Sequence, residues 1–127
     1  MKHFLSFLSI LLLLLGLTLK AKAIDFQQAI ADKNPSVVLI YADWADDIDA
    51  VLGQFRGLEA EYGSRYNFVE LNIASPEAKI FNKTYHIYPN LPYVLLFKDK
   101  AKTTRAVAKD CILNGECIKE KLDIFVK

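Results

Sequence analysis

The chain has 127 residues, 53% of them hydrophobic, with 16 basic against 15 acidic side chains and a net charge of +1. That length suits one domain rather than two. Nothing in a balance so close to neutral suggests a nucleic-acid surface, which would need a clustered basic face.

Residues 4–19, FLSFLSILLLLLGLTL, form a nearly unbroken apolar run behind Lys2. The run is shorter than the roughly 20 residues of a spanning helix. Ala21 and Ala23 follow it at the spacing of a small-residue cleavage site, which predicts a signal peptide over 1–23 and a single domain over 24–127. Lys20 and Lys22 lie after the run, where positive charge opposes export, so an uncleaved membrane anchor is the alternative. Cleavage would remove Lys2, Lys20 and Lys22 and leave 13 basic residues against 15 acidic.

Asp25 reads as a helix N-cap, with Gln28 three residues on in a capping-box pattern. Phe26, Ala29 and Ile30 supply the apolar face, and Asn34-Pro35 ends it. SVVLIY (36–41) is a continuous β-branched and aromatic run, the pattern of a strand buried on both faces. From Ala45 the apolar positions are Ala45, Ile48, Val51, Leu52, Phe55, Leu58 and Tyr62, a helical stripe that stops at Gly63. YNFVELNI (66–73) alternates as a second strand. Ser75-Pro76 is an N-cap followed by proline at the first helical position, opening a helix to about Tyr85. PYVLLFK (92–98) is a third strand, followed by a turn at Asp99-Lys100 and a weaker strand over 103–108. GECIKEKLDIFVK closes the chain as a helix with Cys117, Ile118, Leu122 and Phe125 facing inward.

The order is α-β-α-β-α-β-β-α. Strand–helix–strand units give parallel pairs through right-handed crossovers. The last two strands, joined by a tight turn, must be antiparallel. The expectation is a small α/β domain with a mixed four-stranded sheet flanked by helices.

VVLIYADW running into a helix, then FVELNI, then YHIYPNLPYVLLFKDK, together resemble the thioredoxin-like superfamily over nearly all of residues 24–127. The resemblance implies a strand order second-first-third-fourth and a cis-proline at Pro92 beside the helix that follows Trp44. One departure is visible. Ile87 and Pro92 are one residue further apart than the usual pattern, and Pro89 is extra, so the loop before Pro92 is expected to be reshaped.

The resemblance also implies a Cys-x-x-Cys motif after the tryptophan. Ala45, Asp46, Asp47 and Ile48 stand there instead. Dithiol exchange needs a thiolate to attack and a second thiol to resolve the mixed disulfide, and neither position carries sulfur. The buried acid that the family places beneath the motif aligns with Leu39. Asp46, Asp47 and Asp49 are expected in the first helical turn, where the half-positive helix end stabilises each by about 0.3–1 kcal/mol.

Asp43, Asp46, Asp47 and Asp49 also invite a calcium reading. Their spacing does not match an EF-hand loop and no glycine sits at its sixth position, so capping and solvation account for them. His86 precedes the proline loop and reads as loop packing. Trp44, Tyr88 and Tyr93 are placed to line a groove beside Pro92 or simply to pack. Cys111 and Cys117 enclose ILNGE. An even cysteine count in an exported chain reads as a disulfide, either a staple between the last strand and the last helix or a relocated redox pair. Asp110 and Glu116 would raise a thiol pKa there. No phosphate loop or nucleophile elbow is present, and no cofactor or metal is expected.

The leading expectation is an exported, periplasmic or secreted domain without dithiol chemistry at the usual place. It would bind a protein or extended peptide through Trp44, Ala45, Asp46, Asp47, Ile48, Leu91, Pro92 and Tyr93, and would touch a membrane only if the N-terminal segment is kept. The alternative is a thiol–disulfide exchange protein acting through Cys111 and Cys117.

Overall fold

A computed structural model describes residues 25–127. The expected signal peptide, its cleavage point and Ile24 lie outside the described residues. The elements are α1 (Phe26–Ala31), β1 (Ser36–Tyr41), α2 (Ile48–Tyr62), β2 (Asn67–Asn72), α3 (Pro76–Tyr85), β3 (Tyr93–Lys98), β4 (Thr103–Val107), α4 (Lys109–Leu113) and α5 (Gly115–Phe125). No helix among the described residues is long and apolar enough to cross a membrane.

The sheet order is β2-β1-β3-β4. β1 pairs parallel with β2 and antiparallel with β3, and β3 pairs antiparallel with β4. This is the thioredoxin-like arrangement expected from the sequence.

Strand side chains alternate between the two faces of a sheet, so a strand covered on both faces reads as an unbroken apolar run. In β1, Val37 and Leu39 join one core with Val51, Phe55 and Leu58 of α2 and Ile118 and Leu122 of α5. Val38 and Ile40 join the other, with Phe26 of α1 and Ala78 and Phe81 of α3. Phe26 meets Phe81 edge-on at 5.4 Å between ring centroids.

The helix starts behave largely as the sequence indicates. Asp25 accepts from the Gln28 N–H at 2.8 Å. The Ser75 hydroxyl oxygen accepts from the Ala78 N–H, with Pro76 in the first turn. Ser36 is the one buried polar side chain among the described residues, and its hydroxyl donates to the Ala29 carbonyl at 2.7 Å. That bond ties α1 to the first residue of β1.

The C-terminal part differs from expectation. The fourth strand ends at Val107, and a short separate helix, α4, precedes α5. Asn114 makes the break. Its N–H donates to the carbonyls of Asp110 and Cys111, while its side chain accepts from the N–H groups of Glu116 and Cys117. One residue thus closes α4 and caps α5.

Tyr66 locks α5 to the sheet through its hydroxyl, which donates to the Leu122 carbonyl at 2.6 Å. Burial pushes the Tyr66 hydroxyl well above the usual tyrosine range. Burial also raises Tyr62 and Tyr93. Above about pH 10 the unfolded chain loses these phenolic protons while the folded chain keeps them, so stability falls as pH rises. Tyr66→Phe is expected to cost about 1 kcal/mol at pH 7. It is also expected to flatten the alkaline fall, as read from urea melts between about pH 8 and 11.

Candidate functional site

After β1 the chain turns through residues 42–47 before α2. The Ala45 N–H donates to the Ala42 carbonyl at 3.1 Å, and the Val51 N–H to the Asp47 carbonyl at 3.0 Å. The helix therefore starts at Ile48 and not at Ala45. Asp47 occupies the N-cap position in a left-handed conformation, φ 61°, and its side chain makes no capping bond. Aspartate tolerates that region better than most residues, which lets the turn end there. Of the three acids expected in the first turn, only Asp49 lies in it. Helix-end stabilisation therefore applies to Asp49. Asp47 instead faces Lys109, with Oδ2 3.7 Å from Nζ. Both groups are substantially exposed, so the pair contributes no more than about 1 kcal/mol.

Leu39 of β1 is fully buried and shares a core cluster with Val51 in the first part of α2. Its neighbours in the core are apolar. Nothing in that surrounding accepts a proton.

The loop before Pro92 is held by short-range bonds. Ile87 N–H donates to Asn82 Oδ1 at 2.7 Å, and Leu91 N–H to the Pro89 carbonyl at 3.0 Å. The Leu91–Pro92 bond is cis. Tyr93 is largely buried, and its hydroxyl oxygen accepts from the Tyr88 N–H at 3.2 Å. The exposed Tyr88 ring lies 5.3 Å from it. His86 is an exposed residue that ends α3 in a left-handed conformation, φ 53°.

An open groove of about 710 Å³ runs between this loop and the junction of β4 with α4. Tyr88, Leu91 and Tyr93 line one side; Ala108, Lys109 and Asp110 line the other. Leu91 and Tyr93 from the expected rim are therefore in the groove. Trp44, Ala45, Asp46, Asp47, Ile48 and Pro92 are not among its lining residues. Pro92 is buried, and Trp44 is 75% exposed. The Asp47 turn reaches the groove through the Lys109 ammonium. The Ala106–Asp110 wall was missed from the sequence, because only the pairing of β4 with β3 brings it beside Tyr93.

Cys111 and Cys117 are bonded, with their Cα atoms 5.2 Å apart. The bond joins α4 to α5, not the last strand to the last helix. Both cysteines are half-buried. Cys111 packs against the core that contains Leu39, and Cys117 lies in the first turn of α5. Gly115, between them, approaches α2 closely: a Cβ there would sit 3.2 Å from Gln54 Nε2. The disulfide begins one residue beyond the groove wall at Asp110.

No protein-family model matches the sequence. Among curated proteins, the chain is 36% identical over 56 residues to the thiol:disulfide interchange protein TxlA of Synechococcus elongatus, covering 44% of this chain and 29% of that one. It is 33% identical over 61 residues to the thioredoxin-like protein HCF164, chloroplastic, of Arabidopsis thaliana, covering 46% and 23%. The chain thus spans less than a third of either relative. Among solved structures, a chain of the complex of ferredoxin:thioredoxin reductase with thioredoxin f2 superposes with a TM-score of 0.66 at 17% identity, covering 82% of this chain and 93% of that one. The germline-specific thioredoxin Deadhead of Drosophila melanogaster superposes with a TM-score of 0.58 at 15% identity, covering 72% and 84%. The chain has the thioredoxin-like fold of these structures and is similar over less than half of its length to the two curated relatives. Its two cysteines lie at 111 and 117, and Ala45-Asp46-Asp47-Ile48 occupies the motif positions.

Proposed function

We propose that this chain is a thiol–disulfide exchange protein whose reacting sulfurs are Cys111 and Cys117, with the adjoining groove receiving a protein or extended peptide. The observation that carries the reading is the placement of the chain's single cysteine pair in one half-exposed bond that starts at the residue after Asp110 of the groove wall. One curated relative is named a thiol:disulfide interchange protein and the other a thioredoxin-like protein, which favours this reading over a binding module without redox chemistry.

The two sulfurs have unequal surroundings. Cys117 stands in the first turn of an 11-residue helix, where the dipole favours a thiolate. Asp110 and Glu116 act in the opposite sense. Cys111 packs against apolar side chains, which favour the neutral thiol. A lower-pKa thiol leaves faster. A substrate thiolate therefore attacks Cys111 Sγ, and Cys117 leaves as the thiolate. The second substrate thiol then attacks the mixed disulfide. The substrate leaves oxidised, and the protein holds two thiols and two electrons. A disulfide of the compartment must reoxidise it before another round. An exported location, periplasmic or secreted, belongs to this reading, because such a bond persists in oxidising compartments.

Catalysed oxidation of a reduced dithiol peptide, with glutathione disulfide to reoxidise the protein, together with the equilibrium potential of the pair, tests the proposal. Turnover that disappears in Cys111→Ser with Cys117→Ser, and a potential above about −300 mV, are expected. A potential below that value without turnover would overturn it and mark the bond as a staple. The second reading would then stand: a docking module that holds a peptide in the groove. Sulfur-free positions 45–48 and the buried Leu39 favour that second reading.

A further inference from the structure

The acids around Trp44 have a basic counterpart elsewhere on the surface. β1 ends at Tyr41 and leads into Asp43, Asp46, Asp47 and Asp49. At the opposite end Ser36 pairs with Phe97, and Lys98 pairs with Thr103. Lys98, Arg105 and Lys121 line one surface there, while Asp32 is bonded to Asn67, the partner of Ser36, at the same end.

That surface is a depression of about 280 Å³ between β3, β4 and α5. Its floor includes Leu96, Val107 and Phe125, all buried. Lys98, Arg105 and Lys121 stand around it, and no carboxylate is among the lining residues. Lys98 is fixed there, its Nζ donating to the Phe125 carbonyl at 2.7 Å and lying 4.9 Å from the centre of the Phe125 ring. Among the described residues, Arg105 and Lys121 have no carboxylate within ion-pair distance. The depression is smaller than the roughly 300–1,000 Å³ of small-molecule pockets and suits one inserted side chain.

A matching group sits in the turn after β1. Trp44 is 75% exposed, more than any other large apolar side chain among the described residues. Carboxylates flank it. Asp46 has no ion-pair partner among the described residues, and one Asp43 oxygen accepts from Asn72 Nδ2. An indole suits the apolar floor and the face of a guanidinium, and the flanking carboxylates suit the three cations.

We propose that the Trp44 turn of one copy inserts into the Lys98–Arg105–Lys121 depression of a second copy. Plug and socket lie at opposite ends of the sheet, so the contact is heterologous and copies join head to tail. The Trp44 turn is joined to the peptide groove by the Asp47–Lys109 pair. Self-association and partner capture therefore compete for neighbouring surface. This proposal does not depend on the chemistry of Cys111 and Cys117.

Sedimentation velocity tests it on the purified full-length chain, in an excess of mild nonionic detergent that masks the apolar residues 4–19. The wild type is expected to grow in size with concentration at about 0.05 M NaCl and to revert at about 0.5 M. Trp44→Ala, and Arg105→Glu with Lys121→Glu, are each expected to weaken association about tenfold or more. All three side chains are exposed, so folding is not at stake. A one-to-one mixture of the two variants should form pairs and nothing larger, because one supplies only the socket and the other only the plug. Trp44 is the chain's single tryptophan, so its emission should shift to the blue as pairs form. A wild type of one size at every concentration would overturn the proposal. So would a closed two-fold dimer, association indifferent to salt and to both variants, or a mixture that does not pair.

Discussion

Leu39→Asp is expected to destabilise the domain by roughly 4 kcal/mol or more at pH 7, and to add no disulfide turnover. Leu39 is fully buried among Val51, Phe55 and other apolar side chains. Losing a buried leucine costs about 2–5 kcal/mol by itself. A carboxylate left there without a partner costs more, so it would hold its proton well above the usual value of about 3.9. Between that value and the raised one, the folded chain binds a proton that the unfolded chain has lost. Stability then falls as pH rises. The variant's deficit relative to Leu39→Ala should be smaller at about pH 4 than at about pH 7. Urea melts of both variants at both pH values check this. A Leu39→Asp protein as stable as the wild type would show that water reaches position 39, and the argument for an apolar core there would be lost.

Phe81→Ala carries the second large effect, about 3–5 kcal/mol. Phe81 is fully buried and is enclosed by the rings of Phe26 and Tyr85, at 5.4 and 5.2 Å. Removing it leaves a cavity under α3, because neighbours held on a sheet and two helices collapse only in part. Phe55→Ala on the opposite face should cost a similar amount, since Phe55 is equally enclosed beside Phe68. The sheet separates the two sites, so the losses should add. A double variant would then lose about 6–10 kcal/mol, which exceeds the whole stability of many domains of this size. Chemical denaturation of both single variants tests the two-layer reading. An effect below about 1 kcal/mol at Phe81 would contradict it.

Much of the fold was legible because its signals are local. SVVLIY reads as a doubly covered strand because both faces of β1 meet helices. Ser75-Pro76 and Asp25 announce helix starts through bonds spanning three residues. The start of α2 was not legible. Its apolar stripe runs back to Ala45, yet the backbone leaves the helix at Asp47. A left-handed residue is decided by how the turn closes, not by periodicity. The break at Asn114 was hidden for the opposite reason. Asn-Gly signalled a loop, but both flanks are helical, and the reading of Cys111 as strand-adjacent followed from missing α4. The groove was half legible. Leu91 and Tyr93 come from a recognisable proline loop. Ala108, Lys109 and Asp110 reach it only through the β3–β4 pairing and carry no motif of their own.

The Asn114 junction limits where this chain can change length. Each residue of an α-helix advances the side chains by about 100°. One residue added between Leu113 and Gly115 would swing Ile118, Leu122 and Phe125 off the sheet, and no slack exists on either side to restore their phase. The tip between β3 and β4 is different. Asp99, Lys100 and Ala101 are all left-handed there without a glycine among them, and a longer excursion would relieve that strain while leaving the paired strands in register. Extra sequence, a tag or a fluorophore belongs at that tip and not at the bridge between the last two helices.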